Sequence, residues 1–241
     1  VYERGSITVA ELKEILGTSE STIRRDIIAL DKEGRLTKVF GGAIALHQAQ
    51  IVNKELSMVQ KQELQTMEKQ TIAKYAASLI EPDDCVYLDA GTTTGWMIEY
   101  IREEKATYVT NALSHAKRLA DKGFCVILIG GEPKSSTDAI VGAEAVLNLQ
   151  KYHFSKGFFG VNGVDRTSGF TTPDAKEAMV KQVAVKNTQS AHRYFLTTSA
   201  KFGEVYAVTF AGFEGGVILT EDNVSEVLPK SIAVVNVNEQ N

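Results

Sequence analysis

No stretch of the chain approaches the ~18 consecutive apolar residues of a bilayer-spanning helix. The amino end lacks the pattern of a secretion signal, so the cytoplasm is the default location. Cysteine is scarce: Cys85 and Cys125 are the only two. Each lies in an apolar run, CVYLDA and CVILIGG, and both are expected as buried, reduced thiols outside any disulfide framework. The four histidines, His47, His115, His153 and His192, show no metal-ligand spacing, and no metal site or cofactor is expected. Positive charge is not in excess. The formal net charge of −4 over 241 residues excludes a protein that is basic all over, yet leaves room for a small basic patch on an acidic one. Internal repeats and low-complexity segments are missing too. The length allows one large or two modest domains, each able to bury a core. The chain opens on VYERGSITV, without Met, which reads as the end of an element; most of a first helix is expected upstream.

What is present divides into two patterns. Residues 8 to 16, TVAELKEIL, predict a short amphipathic helix with Val9, Leu12, Ile15 and Leu16 on one face. Thr8 and Glu11 have the spacing of a capping box, and Gly17 ends the helix. Ser19 caps a second helix, ESTIRRDIIALDKE, whose apolar stripe is Ile23, Ile27 and Leu30 and which Gly34 stops. RLTKVFGGAIAL then reads as a hairpin about Gly41 and Gly42. Residues 47 to 66, polar and rich in Gln, read as a linker or an exposed helix. From Met67 a helix runs toward Pro82. Beyond it, apolar strand candidates (CVYLDA, TYVTNA, CVILIGG, GFFGVNGV, YFLTTSA, GVILT, IAVVNV) alternate with helical segments near 95–103, 113–121, 141–149, 174–189 and 222–228. Buried strands alternating with helices imply a mostly parallel sheet covered on both faces. The expected organisation is a DNA-reading unit at 1–46, a linker at 47–66 and an α/β domain at 67–241.

Helix, tight turn, helix and hairpin in this order make the winged helix-turn-helix plan, whose second helix enters the major groove of double-stranded DNA. With Ile23, Ile27 and Leu30 on the core at 100° per residue, Ser21, Arg25 and Lys32 point nearly opposite and Arg24 lies on the flank. Arginine matches guanine O6 and N7, and Ser or Thr reaches bases or phosphates; Lys38 in the hairpin meets the backbone. From 21 to 46 there are five basic residues (Arg24, Arg25, Lys32, Arg35, Lys38) against three acidic ones (Asp26, Asp31, Glu33). That excess is modest, and a helical adaptor with surface arginines is the alternative; the order of elements favours DNA. In the second pattern, YLDAGTTTGWMIEYI carries a strand ending at Asp89 and Ala90, a Gly-Thr-Thr-Thr turn and a helix beginning near Gly95. Ligands of open α/β sheets gather at the carboxyl ends of strands, and a helix start with threonine hydroxyls cradles an anion. Thr92, Thr93 and Thr94 fit that role or that of plain helix caps. Trp96, the sole tryptophan, fits a core aromatic or a ring stacked on a ligand.

The stretch TVAELKEILGTSESTIRRDIIALDKEGRLTKVFGGA resembles the DeoR family of repressors. Ser19, Thr22, Ile23, Arg24, Arg25 and Asp26 match its Ser-x-x-Thr-(Ile/Val)-Arg-Arg-Asp-Leu helix, with Ile27 for Leu. Val39, Gly41, Gly42 and Ala43 match its wing, with Phe40 where His is usual. The resemblance continues to near the carboxyl end, through Asp89, Gly91, Thr92 and Thr93; Val109, Thr110 and Asn111; Gly130 and Gly131; Gly160, Asn162, Gly163 and Val164; and Glu177 with Lys181. In the family's Asp-x-Ser-Lys segment Thr198 replaces the Asp and Ala200 the Ser, while Lys201 is kept. This domain is similar to ribose-5-phosphate isomerase, which arranges comparable loops around a sugar phosphate. The resemblance implies an α/β fold of that type behind a winged helix-turn-helix. It implies a repressor of a sugar-metabolism operon, released or modulated by a phosphorylated sugar. The DNA contacts it implies are Ser19, Ser21, Thr22, Arg24, Arg25, Lys32, Lys38, Gly41 and Gly42. The effector contacts are Asp89, Gly91, Thr92, Thr93, Thr94, Thr110, Asn111, Gly131, Asn162, Gly163, Glu177 and Lys201. A homodimer or homotetramer on a palindromic operator is expected, with no membrane partner. An isomerase is the enzymatic alternative, with Glu177 and Lys201 as base and enediolate stabiliser. Asn162 at an acid position of the VNGVD loop speaks against it, and no catalytic residue is expected.

Overall fold

The computed structural model describes residues 6–33, 35–45, 50–51, 57–224, 228–229 and 232–240. The chain divides into two compact units, Val1–Gln50 and Ile51–Asn241.

In the first unit, strand β1 (Ser6–Thr8) leads directly into α1 (Val9–Leu16), followed by α2 (Glu20–Lys32), β2 (Leu36–Val39) and β3 (Gly42–Ala45). Thr8 and Glu11 form the expected capping box, and Gly17 closes α1 in the left-handed region at φ 61°. Ser19 caps α2 through the Thr22 N–H; Gly34 lies outside the described residues. The wing has three antiparallel strands in the order β1-β3-β2, one more than the hairpin expected from the sequence. Val9, Ile23, Ile27, Leu36 and Ala43 make the core, with Leu12 and Leu30 packed against it. Burying each isoleucine contributes about 1.5–3 kcal/mol. The expected face of α1 is only half correct: Ile15 and Leu16 are 55% and 61% exposed. They sit in the last turn, beyond the reach of α2 and the wing core. At the wing tip Gly41 has φ 85°, and a Cβ on Gly42 would lie 2.3 Å from the Ile7 carbonyl. The two glycines are therefore needed for the turn and for the close approach of β1.

A two-residue strand β4 (Gln50–Ile51) precedes the second unit. That unit runs α3 (Met58–Glu63), α4 (Thr66–Ser78), β5 (Cys85–Leu88), α5 (Thr92–Tyr100), β6 (Thr107–Thr110), α6 (Leu113–Asp121), β7 (Cys125–Leu128), β8 (Glu132–Lys134), β9 (Ala139–Val141), α7 (Ala143–Leu149), β10 (Lys156–Gly160), β11 (Gly163–Asp165), β12 (Gly169–Thr172), α8 (Ala175–Lys186), β13 (Arg193–Leu196), β14 (Glu204–Val205), β15 (Val208–Ala211), β16 (Gly216–Thr220) and β17 (Ala233–Asn236). Seven strands form one parallel sheet in the order β17-β16-β13-β10-β5-β6-β7. The central strands are buried on both faces, with Tyr87 and Phe159 in one core layer and Val86, Leu88 and Phe158 in the other. The sheet starts at β5, grows outward through β6 and β7, and then returns to add β10 on the other side of β5. The order reverses between β5 and β10, and ligands of open α/β sheets bind outside the carboxyl ends of strands at such a point. A smaller antiparallel sheet, β11-β12-β15, and the hairpin β8-β9 complete the unit.

Cys125 corrects the expectation of two buried thiols. It lies on the edge strand β7 and is exposed, while Cys85 is half-buried; both are free. The expected helix at 222–228 is not seen at Asp222–Val224 or Leu228, and 225–227 lie outside the described residues. No helix of the described residues is long and apolar enough to cross a membrane.

Candidate functional site

The reading face of α2 is built by the core on its other side. Ile23 and Ile27 turn inward, which leaves Ser21, Arg24, Arg25 and Lys32 exposed together. Ser19 Oγ lies 2.8 Å from Ser21 Oγ and 2.9 Å from Thr22 Oγ1, a hydroxyl cluster at the start of the helix. Arg24 and Arg25 pair only loosely with Glu20 (3.8 Å) and Asp26 (3.9 Å), and all four side chains are solvent-exposed. Such pairs are worth little, so both guanidinium groups can exchange a carboxylate for DNA at small cost. The Lys38 N–H donates to Asp31 Oδ1 (2.9 Å), which ties the wing to α2, while its side chain is exposed. Phe40, at the tip, is fully exposed.

In the second unit the switch point holds a chain of charged groups. Asp89, wholly buried at the end of β5, accepts the Gly160 N–H (3.0 Å) and is paired with Lys181 of α8. Lys181 also donates to the Gly160 carbonyl (3.0 Å). Burial pushes the Asp89 carboxyl up, and Lys181 and the Gly160 amide oppose that rise. Asp89 Oδ1 has no hydrogen-bond partner among the described residues. One residue further along β10, Lys201 donates to the Val161 carbonyl (2.8 Å). Burial, together with Lys61 and Lys69, lowers its pKa to about 7. Two lysines thus sit on successive carbonyls at the carboxyl end of β10, beside a carboxylate with an oxygen to spare.

The threonines differ from their expected placement. They form the first turn of α5 itself, which begins at Thr92 rather than near Gly95. Thr94 Oγ1 turns inward and donates to the Asp89 carbonyl (2.7 Å), and Thr93 is buried. Thr92 is half-buried, and Gly91 caps α5 without any side-chain hydrogen bond.

Other candidates are committed to the frame. Asn111 Oδ1 accepts from Tyr87 (3.0 Å) and from the Ala90 N–H (2.9 Å), and Thr110 Oγ1 accepts the Ala112 N–H (3.1 Å). Gly131 and Gly163 sit where a Cβ would meet backbone, at 2.7 Å from the Val141 oxygen and 2.3 Å from the Glu204 oxygen. Asn162 accepts from Thr172 (3.2 Å). Glu177 lies under the β8-β9 hairpin and accepts hydrogen bonds from Lys134 (3.0 Å) and Thr137. Asp165, the remaining acid of the VNGVD loop, accepts the Thr167 and Ser168 N–H groups. Neither carboxylate is set up as a base against a carbon acid.

Lys134 and Thr137 were not legible as site residues, because they lie 43 and 40 positions from their partner in sequence. Thr198, in place of the family's Asp, donates to Gln65 Oε1 (2.6 Å), and Ala200 is exposed. Among the described residues no group of three or more His, Cys, Asp or Glu is placed to hold a metal.

A winged helix with an exposed basic reading face, joined to an α/β unit with a charged cluster at its switch point, defines a DNA-binding regulator with a sensor domain. Residues 1–49 match the family model described as DeoR-like helix-turn-helix domain, and residues 64–223 match that of the DeoR C terminal sensor domain. The chain belongs to the DeoR family of transcriptional regulators, and it is a regulator rather than an enzyme. It is 42% identical over 217 residues to the uncharacterized HTH-type transcriptional regulator FruR of Bacillus subtilis (strain 168), covering 90% of this chain and 84% of that protein. It is 39% identical over 207 residues to the lactose phosphotransferase system repressor of Staphylococcus aureus (strain NCTC 8325 / PS 47), covering 85% and 80%. Among solved structures, ribose 5-phosphate isomerase A of Methanocaldococcus jannaschii aligns with a TM-score of 0.41 at 16% identity, over 56% of this chain and 53% of that one.

Proposed function

We propose that the protein represses an operon for sugar uptake or breakdown, and that a phosphorylated sugar bound at the switch point of the second unit releases it from its operator. The observation that carries the reading is the convergence, at the carboxyl ends of β5 and β10, of an uncapped helix start, a buried carboxylate oxygen without a partner and two lysines. A helix start favours an anion; Asp89 Oδ1 accepts from a sugar hydroxyl; Lys201 adds a charge-assisted contact. The names of the relatives, FruR and lactose phosphotransferase system repressor, support a sugar pathway. A homodimer or homotetramer presents two α2 helices to a palindromic operator, because the symmetry of the site mirrors that of the protein.

Effector and DNA are coupled only if the sugar binds one conformation better than the other. Thermal-shift measurements with fructose 1-phosphate, fructose 6-phosphate and tagatose 6-phosphate test the effector half. A ligand at 100 times its Kd adds about 2.7 kcal/mol of apparent stability, and its unphosphorylated sugar adds none at the same concentration. Equal shifts from both forms would remove the phosphate from the account. The operator half is tested by salt-dependent binding to promoter DNA.

A further inference from the structure

Beside the Gly91–Thr94 turn, helices α5 and α6 line a common cavity. Gly95 of α5 faces His115 of α6: a Cβ at Gly95 would lie 2.9 Å from His115 Nε2. His115 is 1% exposed, and its Nδ1 has no hydrogen-bond partner among the described residues. Burial, with Arg118 nearby, lowers its pKa to about 4 against the opposing pull of Asp138 and of a hydrogen bond to the Gly91 backbone, so the ring is neutral, its one N–H is taken by Gly91, and Nδ1 is left as an acceptor. Above it lies a cavity of about 390 Å³, within the range of small-molecule sites. It is lined by Gly91 and Thr92 at the start of α5, by Trp96 and Arg118, and by Met58 and Gln62 of α3.

Three features give this cavity the chemistry of an anion site. The amino end of the nine-residue α5 carries no side-chain cap, so its N–H groups and partial positive charge face an entering anion. His115 is a buried ring that bonds the Gly91 backbone at the helix start and leaves its Nδ1 without a partner among the described residues. Arg118 donates to Glu99 (2.8 Å), but Glu99 also holds Lys122 (3.1 Å). Arg118 can therefore turn to a ligand without leaving Glu99 unpaired. The nearby Asp138 carboxylate is already taken by the Ser114 N–H (2.8 Å).

Hydrogen bonds at both ends hold α3. The Met58 N–H donates to the Ser136 carbonyl at the tip of the β8-β9 hairpin (3.1 Å), and Lys69 donates to the carbonyls of Lys61 and Leu64 at the far end. The same hairpin is tied to Glu177 through Lys134 and Thr137. In chain order α3 is the first helix after the winged unit.

We propose that this cavity receives the phosphate-bearing end of the effector, with Arg118 and the start of α5 as the ligands of the phosphate, His115 Nδ1 as the acceptor for a neighbouring hydroxyl, and α3 as the lid that registers occupancy. The inference rests on the phosphosugar reading above and assigns the phosphate its own subsite, apart from the Asp89 cluster that takes the hydroxyls.

Trp96, the sole tryptophan, makes the test direct. The full chain is titrated with fructose 1-phosphate, fructose 6-phosphate, tagatose 6-phosphate and inorganic phosphate. Trp96 emission and calorimetry are followed in parallel, and amide exchange is followed over 58–63. Binding is expected to change Trp96 emission with the calorimetric Kd and to slow exchange in α3. Arg118→Met is expected to raise Kd roughly ten- to hundred-fold, the worth of a hydrogen bond to a charged group, with an unchanged Tm. Glu99→Gln, which loosens Arg118, is expected not to weaken binding. Calorimetric binding with silent Trp96 emission and an Arg118→Met Kd within about twofold of wild type would overturn the subsite and leave the phosphosugar reading standing. Heat from none of the probes in the wild type would overturn both.

Discussion

Replacing Lys181 by Met should be among the most damaging single changes in the second unit. Asp89 is wholly buried, and its paired oxygen is held by two groups, Lys181 and the Gly160 N–H; the other oxygen is unpartnered. Methionine keeps most of the side-chain volume, including the packing beside Phe210, over whose ring the ammonium sits at 5.2 Å. The change therefore removes charge and hydrogen bonding more than packing. Breaking a buried ion pair by deleting one partner costs about 3–5 kcal/mol, and at about 2–4 °C per kcal/mol for a unit of this size the Tm falls by about 6–20 °C. The sign of the pH dependence follows. Burial already pushes the Asp89 carboxyl up, and without Lys181 its folded-state pKa rises further above the unfolded value near 3.9. The deficit relative to wild type is then full above the folded pKa and shrinks as pH falls toward ~4. Adding Asp89→Asn removes the buried charge and should recover much of the loss. Urea unfolding of wild type, both single variants and the double variant between pH 7.5 and 4.5 measures all four terms. A deficit below about 1 kcal/mol, or one that does not change with pH, would refute the reasoning.

Arg24→Ala or Arg25→Ala should weaken operator binding by roughly 1–3 kcal/mol where the altered guanidinium reads a base, whereas Lys38→Ala should weaken operator and random DNA alike and reduce the salt slope by about one unit; filter binding across a salt series distinguishes the two behaviours. Affinity for a sugar phosphate should rise as pH falls through about 7, because Lys201, lowered to about 7 by burial and by Lys61 and Lys69, takes up a proton when it makes its charge-assisted contact to the bound sugar. Calorimetry at pH 8.5 and 6.5 should show that dependence flattened in Lys201→Gln. A fragment spanning 57–241 should fold without the winged unit and self-associate, and sedimentation at micromolar concentration should find it larger than a monomer.

The elements legible in the sequence are those whose signal is local. The runs CVYL, TYVT and GFFG are apolar because the central strands are buried on both faces, and they were readable for that reason. Thr8, Glu11, Gly17 and Ser19 announce the ends of α1 and α2 by capping chemistry alone. The β8-β9 hairpin gave no such signal: EPK carries a proline and two charges, and it is a strand only because AIV pairs with it across a turn. GFTT and VTFA were missed in the same way, since the small antiparallel sheet exists through pairing rather than periodicity. Cys125 reads as buried because its neighbours are apolar, yet β7 is the edge of the sheet and exposes it. The threonine turn is legible as the segment that follows Asp89, but the residues that gather around Asp89 are remote. Lys181 reaches Asp89 across 92 positions, and Lys134 reaches Glu177 from a hairpin that local pattern does not reveal.

The central claim is that one chain binds an operator through α2 and yields it to a phosphorylated sugar bound in the second unit. The direct measurement is fluorescence anisotropy of the full chain on a labelled promoter fragment, titrated with each phosphorylated sugar and with its unphosphorylated form. The account predicts tight, salt-sensitive binding that one phosphorylated sugar weakens by about 5- to 150-fold, the usual span of allosteric coupling. It also predicts that the sugar is recovered unchanged and that its unphosphorylated form has no effect. Operator binding indifferent to every phosphorylated sugar, or a sugar converted during the incubation, would contradict it.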